Sequence, residues 1–172
     1  MHEDVAAAMK PIAEDLIERG LTLAVMESCT GGMLATGITC TPGCGEYFLG
    51  GIVSYATESK LRFGVDDAVV QEHGVVSAET ASEMARAAVR ELKADIGIGV
   101  TGAAGPEPQD EMPVGCVFIA VTFGGRVRHR RFDFAGEEPD EVKRRAVFAA
   151  VGMLGEIDLT PSPSPDSGEG SS

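Results

Sequence analysis

Hydrophobic and polar positions follow two different periods along the chain, which predicts alternating strands and helices. Short apolar runs of strand type occupy residues 21–26, 52–55, 95–100, 114–123 and 127–134. Apolar stripes at three- and four-residue spacing predict helices over residues 3–19, 33–39, 66–73, 78–93 and 139–154. The last two strands form a hairpin through Gly124 and Gly125. This order predicts one domain of the three-layer α/β/α class with a mixed sheet.

The end of the chain differs in composition from the rest. Residues 160–172 read TPSPSPDSGEGSS and contain no side chain suited to a hydrophobic core. We therefore expect a folded domain over residues 1–159 and a disordered, acidic tail over residues 160–172.

Composition narrows the classes of function. The 172 residues carry 14 Lys and Arg against 27 Asp and Glu, a net charge of −13, so nucleic-acid binding is not expected. No apolar run approaches the ~18 residues of a membrane span, and the N-terminus has no signal pattern. The four cysteines lack CxxC spacing and paired histidines. We expect a cytoplasmic protein with free thiols, no metal and no membrane association.

The stretch LTLAVMESCTGG, residues 21–32, joins a strand to a helix through small residues. The apolar pattern breaks at Glu27, and Ser28, Cys29, Thr30, Gly31 and Gly32 follow. Backbone amides at the start of a helix favour an anionic group. Neither the Walker nor the G-x-G-x-x-G pattern fits. The stretch is therefore either a cradle for a phosphate or carboxylate, or a strand-to-helix turn that simply requires glycine.

A second turn of small residues, TGAAGP at residues 101–106, follows the strand predicted over residues 95–100. Ligands of open α/β sheets bind beyond the carboxyl ends of the strands, so the two turns can frame one site, with loop 106–113 over it. Tyr55 and Lys60 could shuttle protons there if desolvation lowers the pKa of the amine. The simpler alternative is a half-buried Tyr and a surface Lys.

These motifs resemble the C-terminal domain family of CinA, the competence/damage-inducible protein, and its stand-alone PncC-like form. The shared motifs are ESCTGG, G-x-V-S-Y-x-x-x-x-K, H-G-V-V-S, T-G-A-A-G-P and P-V-G-x-V, spread over about residues 5–154. The resemblance implies an α/β fold, a homo-oligomer and a nicotinamide-nucleotide amidase that needs no cofactor. Such an enzyme converts nicotinamide mononucleotide and water to nicotinate mononucleotide and ammonia.

The resemblance also implies roles for individual residues. Tyr55 and Lys60 match the residues that activate the nucleophile, whose own position, normally serine, is Gly45 in this chain. Lys143 stands where an arginine is expected, which keeps the charge but loses bidentate phosphate recognition. The residues matched to substrate binding are Ser28, Thr30, Gly31, Gly32, Thr101, Gly102 and Lys143.

The glycine at position 45 leaves several alternatives. The neighbouring Cys44, or Ser28, could act as the nucleophile, or Tyr55 and Lys60 could activate water directly. The chain could instead be a non-catalytic nucleotide-binding relative of CinA, with a regulatory or structural role. If only the attacking atom is missing, Gly45→Ser is expected to raise amidase activity.

Overall fold

The computed structural model describes residues 2–160 and contains a five-stranded sheet between two layers of helices. The helices are α1 (His2–Arg19), α2 (Met33–Thr39), α3 (Thr57–Arg62), α4 (Asp67–His73), α5 (Ala78–Leu92) and α6 (Pro139–Gly155). The strands are β1 (Leu23–Glu27), β2 (Phe48–Val53), β3 (Ile96–Gly102), β4 (Cys116–Phe123) and β5 (Arg126–Asp133). A 3-10 turn, Cys44–Glu46, precedes β2. Of the predicted tail, residues 161–172 lie outside the described residues.

The strand order is β2-β1-β3-β4-β5, with β1 parallel to both β2 and β3 and with antiparallel pairing from β3 to β5. The predicted α/β fold with a mixed sheet is therefore confirmed. The carboxyl ends of β1, β2 and β3 meet at one edge, which we call the carboxyl edge of the sheet. β2 and β5 are the outermost strands.

The two faces of the sheet are packed differently. The large apolar residues of β3 face a core built with α1, α2 and α6. Gly97 and Gly99 of the same strand face α5, and a Cβ on either would lie 2.1 Å from the backbone oxygen of Ala85 or Ala81, respectively. The absent side chains let the alanine-rich α5 pack directly against the backbone of β3.

Most helix predictions agree with the structure. α1 continues through Pro11, and Ser77, the N-cap of α5, accepts a hydrogen bond from the N–H of Thr80 at 3.1 Å. Ala56 precedes α3, and no side chain caps that helix. No helix within residues 2–160 has the length and apolar character needed to cross a membrane.

Two strand boundaries near the start of the sheet were predicted incorrectly. β1 includes Glu27, where the apolar pattern breaks, because its backbone still pairs with both neighbouring strands. β2 is Phe48–Val53 rather than residues 52–55. Its Gly50 and Gly51 weaken the strand pattern, yet a Cβ on Gly51 would lie only 2.9 Å from the side chain of Val25. Close packing, rather than flexibility, therefore requires glycine at position 51.

Gly99→Ala is expected to destabilise the domain by about 3 kcal/mol, because the new Cβ would displace α5 from the sheet. The matched control is Gly152→Ala in α6, where a new Cβ meets nothing within 4 Å. This change is expected to stabilise the domain by about 0.5–1 kcal/mol. Urea unfolding measures both, and equal effects would contradict the packing argument.

Candidate functional site

Ser28 is the first residue after β1 and lies at the carboxyl edge of the sheet. Its backbone N–H donates to the carbonyl oxygen of Val100 at 2.9 Å, which fixes the turn to β3. The residue is only 7% exposed, and its Oγ lies 2.9 Å from the Nζ of Lys60. The structure thus pairs a hydroxyl with an amine.

Lys60, in α3, is buried despite being a lysine, with 1% of its surface exposed. Its Nζ donates to the carbonyl oxygens of Ser54 and Tyr55, at 2.8 and 3.1 Å. Burial lowers the pKa of Lys60 to about 8, and the negative charge of Asp110 opposes this shift only in part. With this pKa, about a tenth of the amine is neutral at pH 7.

The three partners of the Lys60 amine decide what its neutral form can do. A neutral amine has two N–H groups and one lone pair. The carbonyl oxygens of Ser54 and Tyr55 can only accept, so they take both N–H groups. The lone pair then faces the hydroxyl of Ser28, which can donate its proton. Neutral Lys60 is therefore oriented as a general base for Ser28.

The carboxylate of Glu27 caps the start of α2. It is fully buried and accepts a hydrogen bond from the Oγ1 of Thr30 at 2.6 Å. It also accepts from the backbone N–H groups of Gly32, Leu34 and Ala35, at 3.2, 3.0 and 2.8 Å. These four donors stabilise the buried charge and satisfy amides that have no partner inside the helix.

The anion cradle predicted on residues 28–32 loses three of its donors, because the backbone N–H groups of Ser28, Gly31 and Gly32 already donate within the protein. The N–H of Gly32 donates to Glu27, and the N–H of Gly31 donates to the carbonyl oxygen of Ser28 at 3.0 Å. Thr30, Gly31 and Gly32 thus hold Glu27 and the turn. The sequence did contain a sign of this cap, because Glu27 is a carboxylate that shortly precedes a predicted helix. The sequence analysis used Glu27 only to mark the break in the apolar pattern.

A cavity of about 280 Å³ opens beside Ser28 at the carboxyl edge. The turns after β1 and β3 converge there, and part of the predicted overlying loop forms one wall. Its lining comprises Ser28, Cys29, Tyr55, Lys143 and residues 102–109. A larger cavity of about 510 Å³ adjoins Arg86, Arg90 and the β4–β5 turn, but its lining contains no hydroxyl that is paired with a lysine amine. The smaller cavity is therefore the candidate site.

Several predicted site residues have other roles. The Oγ1 of Thr101 donates to the carbonyl oxygen of Val75 at 2.7 Å, so it holds the backbone, whereas Gly102 lines the cavity. Tyr55 is 70% exposed and reaches Lys60 through its carbonyl oxygen rather than its phenol.

Burial raises the pKa of the Cys29 thiol to about 12, which keeps that thiol neutral.

Cys44 and Gly45 lie at the opposite edge of the sheet from the cavity. They precede β2, whereas Tyr55 and Lys60 follow it. Six residues of strand span roughly 20 Å at ~3.3 Å per residue. The Sγ of Cys44 lies 3.4 Å from the carbonyl oxygen of Thr39 instead. Within one chain, a nucleophile at position 44 or 45 therefore cannot reach Lys60.

The protein is therefore an α/β protein with a mixed sheet and a serine–lysine pair at the carboxyl edge of that sheet. The chain belongs to the CinA C-terminal domain family, whose profile matches residues 5–157. A CinA-like protein of Citrifermentans bemidjiense is 43% identical over 155 residues, which cover 89% of this chain and 37% of that protein. The chain thus spans little more than a third of such curated relatives.

Solved structures of the family have the same fold. A CinA superfamily protein from Klebsiella pneumoniae superposes with a TM-score of 0.84 at 32% identity, covering 88% of this chain and 96% of that one. The competence/damage inducible protein CihA from Agrobacterium tumefaciens gives 0.83 at 32% identity, covering 88% and 93%.

Glu27→Ala is expected to lower the free energy of unfolding by about 3 kcal/mol, because it leaves buried donors of the α2 start without an acceptor. Glu14→Ala, at an exposed position of α1, is the matched control and should change stability by less than about 0.5 kcal/mol. Urea unfolding of both variants tests the cap. Equal stabilities would show that Glu27 does not hold the turn.

Proposed function

We propose that this chain is a nicotinamide-nucleotide amidohydrolase in which Ser28 is the nucleophile and Lys60 the general base. The observation that carries the proposal is the 2.9 Å contact between Ser28 Oγ and Lys60 Nζ, with the two N–H groups of the neutral amine directed to carbonyl oxygens. The substrate class follows from the family resemblance. The proposal includes a cytoplasmic location and no metal or cofactor.

The reaction would proceed through an ester on Ser28. Its Oγ attacks the carboxamide carbon while the hydroxyl proton passes to Lys60. The C–N bond then breaks, and the nitrogen leaves as ammonia with that proton. Water attacks the ester and gives a proton to Lys60, and Lys60 returns this proton to Ser28 as the product departs as the carboxylic acid. Lys60 ends as it began, and the net change is amide plus water to acid plus ammonia.

Lys143 is the candidate partner for the substrate phosphate. It lies on the cavity wall in α6, and its Nζ is 3.4 Å from the Oδ1 of Asp140. The amides at the start of α2 are occupied by Glu27, so they offer the phosphate little. A lysine supplies one compact charge without the bidentate geometry of arginine, which supports attraction more than strict orientation.

Ser28→Ala is expected to reduce ammonia release from nicotinamide mononucleotide by about 10³-fold or more, because the attacking atom is lost. Binding of the nucleotide, measured by calorimetry, should persist. Cys44→Ala is the matched control and should keep native activity. Loss in Cys44→Ala with retention in Ser28→Ala would assign the thiol instead. A native chain that binds the nucleotide without releasing ammonia would favour the non-catalytic alternative.

Gly45→Ser is expected to fold and to leave the activity of the Ser28–Lys60 pair unchanged. A Cβ at position 45 meets nothing within 4 Å, and the backbone there does not require glycine. A marked increase in activity would show that position 45 takes part in catalysis.

The rate should rise with pH, because only neutral Lys60 can accept a proton. With a pKa of about 8 for Lys60, the neutral fraction increases about tenfold between pH 7 and pH 9. Asp110 raises that pKa through its negative charge, so Asp110→Asn should move the rising limb to lower pH. A rate independent of pH from 6.5 to 9, or a limb displaced to higher pH in Asp110→Asn, would contradict this role.

A further inference from the structure

The lining of the candidate site carries two charged side chains of opposite sign. Among the described residues that line the cavity, Lys143 of α6 and Glu107 of the loop after β3 are the charged ones. Lys143 pairs with Asp140 at 3.4 Å, and no hydrogen bond or ion pair within residues 2–160 engages the carboxylate of Glu107. The two charges therefore stand apart on different elements and do not neutralise each other.

Proline on both sides makes the backbone at Glu107 stiff. Pro106 and Pro108 each fix their own φ angle, and Pro108 also disfavours a helical conformation of the residue before it. Just beyond, Gln109 and Met112 exchange two backbone hydrogen bonds, at 3.2 and 2.9 Å. The backbone that carries Glu107 is therefore confined before any ligand binds.

The loop is also anchored to the rest of the domain through Asp110. Its carboxylate accepts hydrogen bonds from the backbone N–H groups of Val75 and Val76, at 2.5 and 3.3 Å, in the segment between α4 and α5. A side chain on an anchored loop loses less conformational freedom on binding a ligand than one on a free loop. Asp110 therefore holds the loop, whereas Glu107 presents an unpaired negative charge to the cavity.

We propose that Glu107 recognises the positive charge of the pyridinium ring and thereby selects the substrate over the product, an inference that rests on the substrate class of the proposed function. In nicotinamide mononucleotide the ring nitrogen bonded to ribose carries a permanent positive charge, and the phosphate carries negative charge at the other end. With the phosphate on Lys143 and the carboxamide at Ser28, the ring is the one charged group left without a partner. Glu107 is the acid of the cavity lining that can face it.

The same charge distinguishes the substrate from the product. Hydrolysis replaces a neutral carboxamide with an acid that ionises in solution, so the product ring carries a carboxylate, which Glu107 repels. The side chain therefore favours binding of the substrate and disfavours rebinding of the product. Because Glu107 is exposed, water screens both effects, and we expect each to change affinity by about three- to fivefold.

Two nucleotides that differ in ring charge test this assignment. Nicotinamide mononucleotide and its reduced, dihydropyridine form share the phosphate, the ribose and the carboxamide, but the reduced ring is neutral. Calorimetric titration in a Ser28→Ala background, chosen to prevent turnover, should show about three- to fivefold tighter binding of the oxidised form. Glu107→Gln in this background keeps the size of the side chain and removes its charge, so it should abolish the preference.

Glu111→Gln is the matched control, because Glu111 is an exposed acid of the same loop that does not line the cavity. This variant should keep the preference for the oxidised nucleotide. Nicotinate mononucleotide should bind Glu107→Gln more tightly than it binds the Glu111→Gln control. A preference that survives in Glu107→Gln, or that is lost equally in Glu111→Gln, overturns the inference.

Binding and turnover together separate this inference from the proposed function. If the native chain releases no ammonia but the charge preference is present and depends on Glu107, the amidase proposal fails and recognition of the cationic ring stands. If the native chain releases ammonia but the oxidised and reduced nucleotides bind equally, the amidase proposal stands and the role of Glu107 is refuted. Failure of both nucleotides to bind at millimolar concentration refutes both.

Discussion

The candidate site depends on the burial of the Lys60 amine. A buried amine without acceptors would be strongly unfavourable, so the carbonyl oxygens of Ser54 and Tyr55 must lie within hydrogen-bonding distance of Nζ. These carbonyls belong to the exit of β2, and the amine belongs to α3. The need to satisfy one nitrogen therefore fixes the end of β2, the start of α3 and the hydroxyl of Ser28 relative to one another. The same burial that constrains the backbone lowers the pKa and makes the amine a usable base.

Glu27 and Lys60 are two buried ionisable groups near Ser28, and they have different roles. Glu27 directs its carboxylate away from the cavity, into the start of α2, where four donors hold it. Its backbone oxygen accepts from the N–H of Ser54 at 2.8 Å, which links the turn to the residue whose carbonyl binds Lys60. The carboxylate thus fixes the geometry of the turn after β1, and the amine contacts the hydroxyl of Ser28 in that turn. Because each group has its own set of hydrogen-bond partners, neither needs the other as a counter-ion.

The sequence was sufficient to predict the α/β class, the order of helices and strands, and the convergence of two turns at one edge, because these follow from periodicity and from the rules of parallel strands. It was insufficient for Glu27, whose role depends on donors that lie up to eight residues further along the chain. It also missed the start of β2, because Gly51 is required by a contact with Val25 that no local pattern encodes. The pairing of Ser28 with Lys60 joins residues 32 positions apart, so only the folded chain reveals it.

The distance between the two ends of β2 determines whether the glycine at position 45 affects the candidate site. Had this turn lain beside Lys60 in the same chain, its missing hydroxyl would have removed one candidate attacking atom within reach of the base. The turn instead lies a strand length away, while Ser28 contacts the amine directly. Glycine at that position is therefore compatible with the proposed chemistry, because Ser28 and Lys60 both lie at the carboxyl edge of the sheet.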